Sequence, residues 1–250
     1  MVSTSEASPT DRPLDRDSGK TLRAPRILAC LMEEYDGGVI ELDHSSPFEL
    51  LIATVLSAQS TDVKINQITK SLFVKYRTPE DYLSVPEEEL QHDILSSGFY
   101  RQKTKSIRGL CQALIDNFDG EVPLAMADLI TLPGVARKTA NVVLAGAAPQ
   151  HHLADPQAGI AVDTHVTRLS KRFAFTRHTD PVKIEKDLMR LFDKADYSPA
   201  SLVIILHGRR VCDALRPRCG SCVVEQWCPS SLIDGRRDKA KQAKGLGAGI

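Results

Sequence analysis

Four cysteines, Cys212, Cys219, Cys222 and Cys228, lie within 17 residues at the spacing Cys-x6-Cys-x2-Cys-x5-Cys, while Cys30 and Cys111 stand apart. Thiolates this close on one short loop can surround a tetrahedral metal ion or a cubane cluster. Clustering of this kind in a chain without a secretory signal points to metal before disulfides. Structural zinc commonly takes two CxxC knuckles on separate turns, and this loop has one. The uneven gaps favour an iron–sulfur cluster, with zinc or a metal-free loop as alternatives. Arg216 and Arg218 fall between the first two cysteines, where a ligated loop would present them rigidly to phosphates; the plainer reading makes them solubilising charges.

Two further segments carry polar side chains at helix starts. In Leu132-Pro133-Gly134-Val135-Ala136-Arg137-Lys138, a turn at Pro133-Gly134 joins a short helix over 128–130 to a second helix. The N–H groups of such a turn and the positive end of the second helix form an anion site, suited to a phosphate and blind to base sequence. Lys138 falls in the first turn of that helix and, taken alone, reads as a surface lysine. In Val162-Asp163-Thr164-His165 either Asp163 or Thr164 can cap a helix, and taken alone Asp163 is a cap.

The elements that must hold these residues read as helical almost throughout. Ser46-Pro47-Phe48-Glu49 combines a capping box with proline at the first helical position, and Leu50, Leu51, Ile52, Val55 and Leu56 follow as a mostly buried helix. Val63, Ile65, Ile68, Leu72 and Phe73 keep amphipathic helical spacing. Thr78-Pro79, Pro86, Asp180-Pro181 and Ser198-Pro199 open further helices, and the stripe from Ile107 to Phe118 stops at Gly120. No alternating strand pattern or internal repeat is present, so the fold is expected to be all-α, with about ten short helices. Polar tails are expected at 1–20 and 233–250.

Of the 250 residues 42% are apolar and 26% charged, a balance that suits a globular chain with a core. No apolar run approaches the roughly 20 residues that span a bilayer. Net charge is zero, which does not advertise a nucleic-acid partner. Two basic blocks, Arg101-Lys103-Lys105-Arg108 and Arg209-Arg210-Arg216-Arg218, nonetheless leave a basic face possible, with solvated surface as the alternative.

From about Ile27 to Pro229 the cysteine spacing, the Leu132–Asn141 segment and Val162-Asp163-Thr164-His165 together resemble the endonuclease III family of helix-hairpin-helix DNA glycosylases and abasic-site lyases. The resemblance implies two helical domains. One, over 41–155, has six helices and the hairpin; the other joins 21–40 to 156–232 and carries a 4Fe-4S cluster on the four cysteines. It implies that Lys138 is the nucleophile forming a Schiff base with the sugar, favoured in its neutral form by the helix start and partial burial, and that Asp163 is the catalytic carboxylate. Oxidised pyrimidines, β-elimination, double-stranded DNA with damaged bases or abasic sites as partner, no membrane, a monomer and a cytoplasmic, nucleoid-associated location belong to the same expectation. The DNA contacts it implies are Gln59 and Phe99 as wedges filling the hole left by a flipped nucleotide, then Arg101, Gly134, Ala136, Arg137, His165, Arg209, Arg216 and Arg218. Phe99, where leucine is common, is also readable as a core aromatic.

Two departures stand out. Ala136 occupies the place of a second hairpin glycine, and its methyl disfavours positive φ and close backbone approach to phosphate. The connection over 147–159 is longer than usual and reads as a flexible loop. A catalytically weakened iron–sulfur DNA-binding protein and a monofunctional adenine glycosylase are the alternatives; Lys138 and the absence of a large domain after the cysteines argue against the latter.

Overall fold

The computed structural model describes residues 14–233, so the expected tails lie outside the described residues over 1–13 and 234–250. Twelve α-helices and short 3₁₀ turns account for the secondary structure among the described residues, with no strand. The all-α expectation holds. Two compact units divide the chain. One comprises 39–161 and 194–202, the other the described parts of 1–38, 162–193 and 203–250.

The first unit contains α2 (Pro47–Leu56), α3 (Asp62–Lys75), α4 (Pro79–Ser84), α5 (Glu87–Asp93), α6 (Tyr100–Phe118), α7 (Met126–Leu129), α8 (Arg137–Ala147) and α9 (Pro149–Ala154). Their starts follow local chemistry. Ser46 Oγ accepts Glu49 N–H at 3.1 Å, and Glu49 reaches back to Ser45 N rather than to Ser46, which completes only half of the expected box. Thr78 and Asp81 complete theirs. The stop after α6 uses left-handed Asp119 and Gly120, whose N–H closes on Leu114 O at 3.0 Å. Leu50, Leu51, Ile52 and Leu56 of α2 are fully buried, each contributing about 1.5–3 kcal/mol by leaving water. They join Ile65, Tyr82, Leu110, Leu114, Val143 and Leu144 in the core. Gly146 lets α8 lie against α2, since a Cβ there would come 2.7 Å from Leu50 Cδ2.

The segment expected as a flexible loop is corrected by α9. His152 is 4% exposed, with Nε2 2.9 Å from Gly159 O, while Gly159 N–H donates to Asn141 Oδ1 at 2.8 Å. Proline at the first position of α9 and this buried histidine convert the stretch into packed structure. Lys194–Leu202 packs with the same unit, where Ser201 Oγ donates to Ala161 O and Lys194 to Asp155 O.

The second unit is assembled from distant segments: α1 (Lys20–Glu34), α10 (Thr164–Arg172), α11 (Pro181–Met189), the end of α12 (Tyr197–Arg210) and the cysteine loop. Arg23, 3% exposed, holds them together by donating to Ser18 O, Phe173 O and Trp227 O at 2.8, 2.9 and 3.1 Å. Residues 14–19, read from sequence as tail, are also tied here: Trp227 Nε1 donates to Leu14 O, and Arg16 pairs with Glu225.

Candidate active site

In the first unit, Lys138 is the second residue of α8, directly after the turn. Leu132 and Val135 are buried, and Val135 N–H closes the turn on Leu132 O at 3.1 Å. Gly134 has φ +79°, and a Cβ there would lie 3.1 Å from Ser106 Cβ, so both conformation and space demand glycine. Ala136 corrects the expectation of a strained second glycine position. Its φ is −86° and ψ 166°, extended backbone that alanine adopts freely. As a helix cap it offers no side-chain acceptor, which leaves the first N–H groups of α8 to an external anion. Arg137 is half-buried and donates to Gln157 O at 2.7 Å. Lys138 is exposed, so the partial burial expected for it is not found. Asp155 accepts Met126 N–H at 2.6 Å and Gln157 N–H at 2.7 Å, fixing the start of α7.

Gln59 and Phe99 lie on separate loops of the same unit. Both are exposed, Phe99 at 66%, which excludes the core reading of that aromatic. Both are left-handed, with φ 55° and 49°, two of the five positive-φ residues other than glycine among those described. The first basic block does not form one face. Arg101 and Lys105 are exposed, but Lys103 is buried, and Arg108 donates inward to Tyr82 O and Val85 O. Buried carbonyls at loop ends recruit these two cations, and nothing in the local sequence announces it.

In the second unit Asp163 caps α10, Oδ1 accepting Val166 N–H at 2.8 Å. The cap reading is therefore correct as far as it goes, and Oδ2 accepts no hydrogen bond among the described residues. Asp163 lines an open cleft with Thr167, Arg168, Lys171 and Arg172, a carboxylate among cations. His165 faces Arg168, Nδ1 to Nη2 3.2 Å.

All four clustered cysteines line one small pocket with Arg172, Phe173 and His207. Among the described residues no group of three His, Cys, Asp or Glu is arranged for a single ion. Burial pushes the Cys222 thiol up to about 12 and Cys228 up to about 11. Two residues missed by sequence reasoning stand against the sulfurs. Arg172 donates to Cys212 Sγ at 3.0 Å and to Asp213 O and Ala214 O at 2.7 and 2.8 Å, pinning the loop from behind. His207, held down to about 4 by burial, lies with Nδ1 2.9 Å from Tyr35 Oη and Nε2 3.4 Å from Cys222 Sγ. Only the i,i+4 spacing of Arg168 and Arg172 after Asp163 hinted at such a role. Arg209, Arg210, Arg216 and Arg218 are exposed, Arg210 against the Tyr35 ring.

Residues 52–194 match the HhH-GPD superfamily of base excision DNA repair proteins. Endonuclease III of Synechocystis is 46% identical over 218 residues, covering 87% of this chain and 97% of that protein. The chain belongs to the endonuclease III family. Endonuclease III of Bacillus subtilis is 47% identical over 207 residues, 82% of this chain and 88% of its own. A solved non-covalent endonuclease III–DNA complex is similar with TM-score 0.79 and 43% identity over 88% of this chain and 98% of the other. A trapped endonuclease III–DNA covalent intermediate gives 0.77 and 45% over 84% and 96%. As an endonuclease III the chain is a base-excision DNA glycosylase and abasic-site lyase, which sets aside the adenine-glycosylase alternative. Among the described residues no helix is long and apolar enough to cross a membrane.

Proposed function

We propose that this endonuclease III removes oxidised pyrimidines from double-stranded DNA and cleaves the resulting abasic strand through a Schiff base on Lys138. The observation that carries the reading is the exposed amine of Lys138 at the second position of α8, beside uncapped N–H groups able to hold a phosphate. The neutral amine attacks C1′ of the flipped nucleotide; the C1′–N bond to the base breaks, and the base leaves with the electron pair and takes a proton. The amine loses its proton and the sugar ring opens, leaving O4′ protonated and an iminium at C1′. Loss of a C2′ proton then expels the 3′ phosphate by β-elimination. Asp163, whose carboxylate lines the cleft, stabilises positive charge developing on the sugar and accepts the lysine proton.

Gln59 and Phe99, exposed and left-handed, fill the space vacated in the stack. Gly134, Ala136 and Arg137 contact phosphate at the turn, and Arg101, His165, Arg209, Arg216 and Arg218 contribute further contacts. The solved DNA complexes of relatives support DNA as partner. Cys212, Cys219, Cys222 and Cys228 would hold a 4Fe-4S cluster; all four line one pocket, and the N–H group that Arg172 directs at Cys212 Sγ suits an anionic sulfur. When bound, the cluster supplies a cross-link for the loop bearing Arg216 and Arg218, and a redox-capable centre. A monomer acting in the cytoplasm at the nucleoid completes the proposal.

Borohydride reduction of the iminium tests the assignment on a duplex with one oxidised pyrimidine. Wild type yields a covalent adduct and Lys138→Ala yields none. An undiminished adduct from the variant overturns Lys138 as nucleophile, and no adduct from wild type favours the catalytically weakened reading.

A further inference from the structure

Lys103 belongs to a basic block whose sequence allows either a basic face or plain solvated surface, yet the residue is 5% exposed. Its ammonium donates to Leu56 O at 2.7 Å and to Ser97 O at 2.8 Å. Leu56 is the last residue of α2, three residues before Gln59; Ser97 ends a 3₁₀ turn two residues before Phe99. The backbone N–H of Lys103 donates to Phe99 O at 3.0 Å. One residue therefore holds the carbonyls that lead into both wedge loops, across a sequence separation of 47 residues on the α2 side.

The electrostatics favour this arrangement. The last carbonyls of α2 have no partner within it and carry the negative end of its dipole, and with the Ser97 carbonyl at the end of the 3₁₀ turn they offset the lost hydration of one buried cation. Burial draws the Lys103 pKa below the usual lysine value, the mark of an amine withdrawn from solvent. The loops need an external anchor because each contains a left-handed residue with a side chain, a conformation that persists only where the surroundings enforce it. On the Phe99 side, Gly98 at φ +72° lets the chain turn out of the 3₁₀ segment.

We infer that Lys103 is a positioning residue that locks the two wedge loops to each other, so that Gln59 and Phe99 enter the DNA stack as one rigid pair. The inference rests on the wedge roles proposed above. It assigns Lys103 no contact with DNA, and it makes nucleotide extrusion, rather than bond breaking, the step that depends on it.

The test compares single-turnover base excision by the cluster-loaded enzyme on two duplexes: one with the lesion paired, and one with the same lesion in a single-nucleotide bulge, already unstacked. Lys103→Met is expected to slow excision about tenfold or more on the paired lesion and less than threefold on the bulge, with Lys103→Arg restoring most of the loss. Should Lys103→Met not fold, Lys103→Gln, which keeps one amide donor group, is expected to show the same asymmetry in weaker form. Equal slowing on both duplexes would mean that Lys103 serves only general structure, and no slowing would mean that the loops need no clamp; either overturns the inference. Gln59→Ala and Phe99→Ala are measured alongside. If they slow the paired lesion while the Lys103 variants do not, the wedge reading stands and the clamp falls. If they too leave the paired lesion unaffected, the wedge reading fails and the clamp fails with it.

Discussion

Exchanging the two small residues of the hairpin tests which of them the backbone requires to be glycine. Gly134 has φ +79°, whereas Ala136 has φ −86°. A left-handed alanine at 134 costs about 1–2 kcal/mol in backbone energy alone. Its methyl would also sit 3.1 Å from Ser106 Cβ, and that atom is fixed to α6, so strain of about 1 kcal/mol is added. The sum for Gly134→Ala is about 2–3 kcal/mol. At about 2–4 °C per kcal/mol for a chain of this size, the melting temperature falls by about 4–12 °C. Ala136→Gly sets two smaller effects against each other. Glycine is a better helix cap than alanine by about 0.5–1 kcal/mol, and it loses a similar amount to backbone entropy. Its net effect is within about 0.5 kcal/mol. Calorimetry of both cluster-loaded variants gives the stabilities, and binding to a duplex with an uncleavable abasic analogue gives the affinities. We expect Gly134→Ala to weaken binding at least tenfold and Ala136→Gly to change it less than twofold. A stable, tight-binding Gly134→Ala protein, or a tenfold gain from Ala136→Gly, would refute the assignment of the left-handed position.

Asp163→Asn keeps a good capping side chain for Val166 N–H, so thermal stability stays within about 0.5 kcal/mol. Base excision in single turnover drops at least a hundredfold with DNA affinity retained; equal turnover would reduce Asp163 to its cap. Asp155 is raised by burial but pulled further down by the N–H groups of Met126, Gln157 and Ala158, leaving its carboxyl below the ordinary value. A depressed carboxyl contributes stability above its unfolded value of about 4, and that stability is lost as pH falls through the lower folded value. Denaturant unfolding measured from pH 5 down to 2 should show a shallower acid loss for Asp155→Asn than for wild type, and parallel curves would exclude the role.

The helix starts were legible because capping is local. Ser46-Pro47, Thr78-Pro79 and Asp180-Pro181 each place an acceptor, a fixed φ and the helix start within four residues. The cysteine grouping was legible for the same reason, since a short loop leaves four thiols little choice but to face a common space. What the sequence hid was nonlocal. The fates of Lys103, Arg108 and Arg172 depend on carbonyls as far as 47, 26 and 42 residues away, so charge alone placed the first two wrongly on the surface. His152 looked like a loop residue because its partner, Gly159 O, follows it and is met only once the turn has packed. Ala136 looked like a defect because its φ is not written in its name.

The way Arg23 gathers carbonyls from 18, 173 and 227 also constrains how the protein is born. A ribosome releases α1 with the apolar Ile27, Leu28 and Leu31 that end up buried, and the Trp227 carbonyl that Arg23 binds follows only after roughly 190 more residues, on the order of 10–40 s at ordinary elongation rates. Most of the unit around α2 and α8 emerges in that interval from nearby segments. Newly made chains should therefore pass through a stage in which an orphaned amphipathic helix awaits its mates, a period when holding chaperones and proteases compete for it.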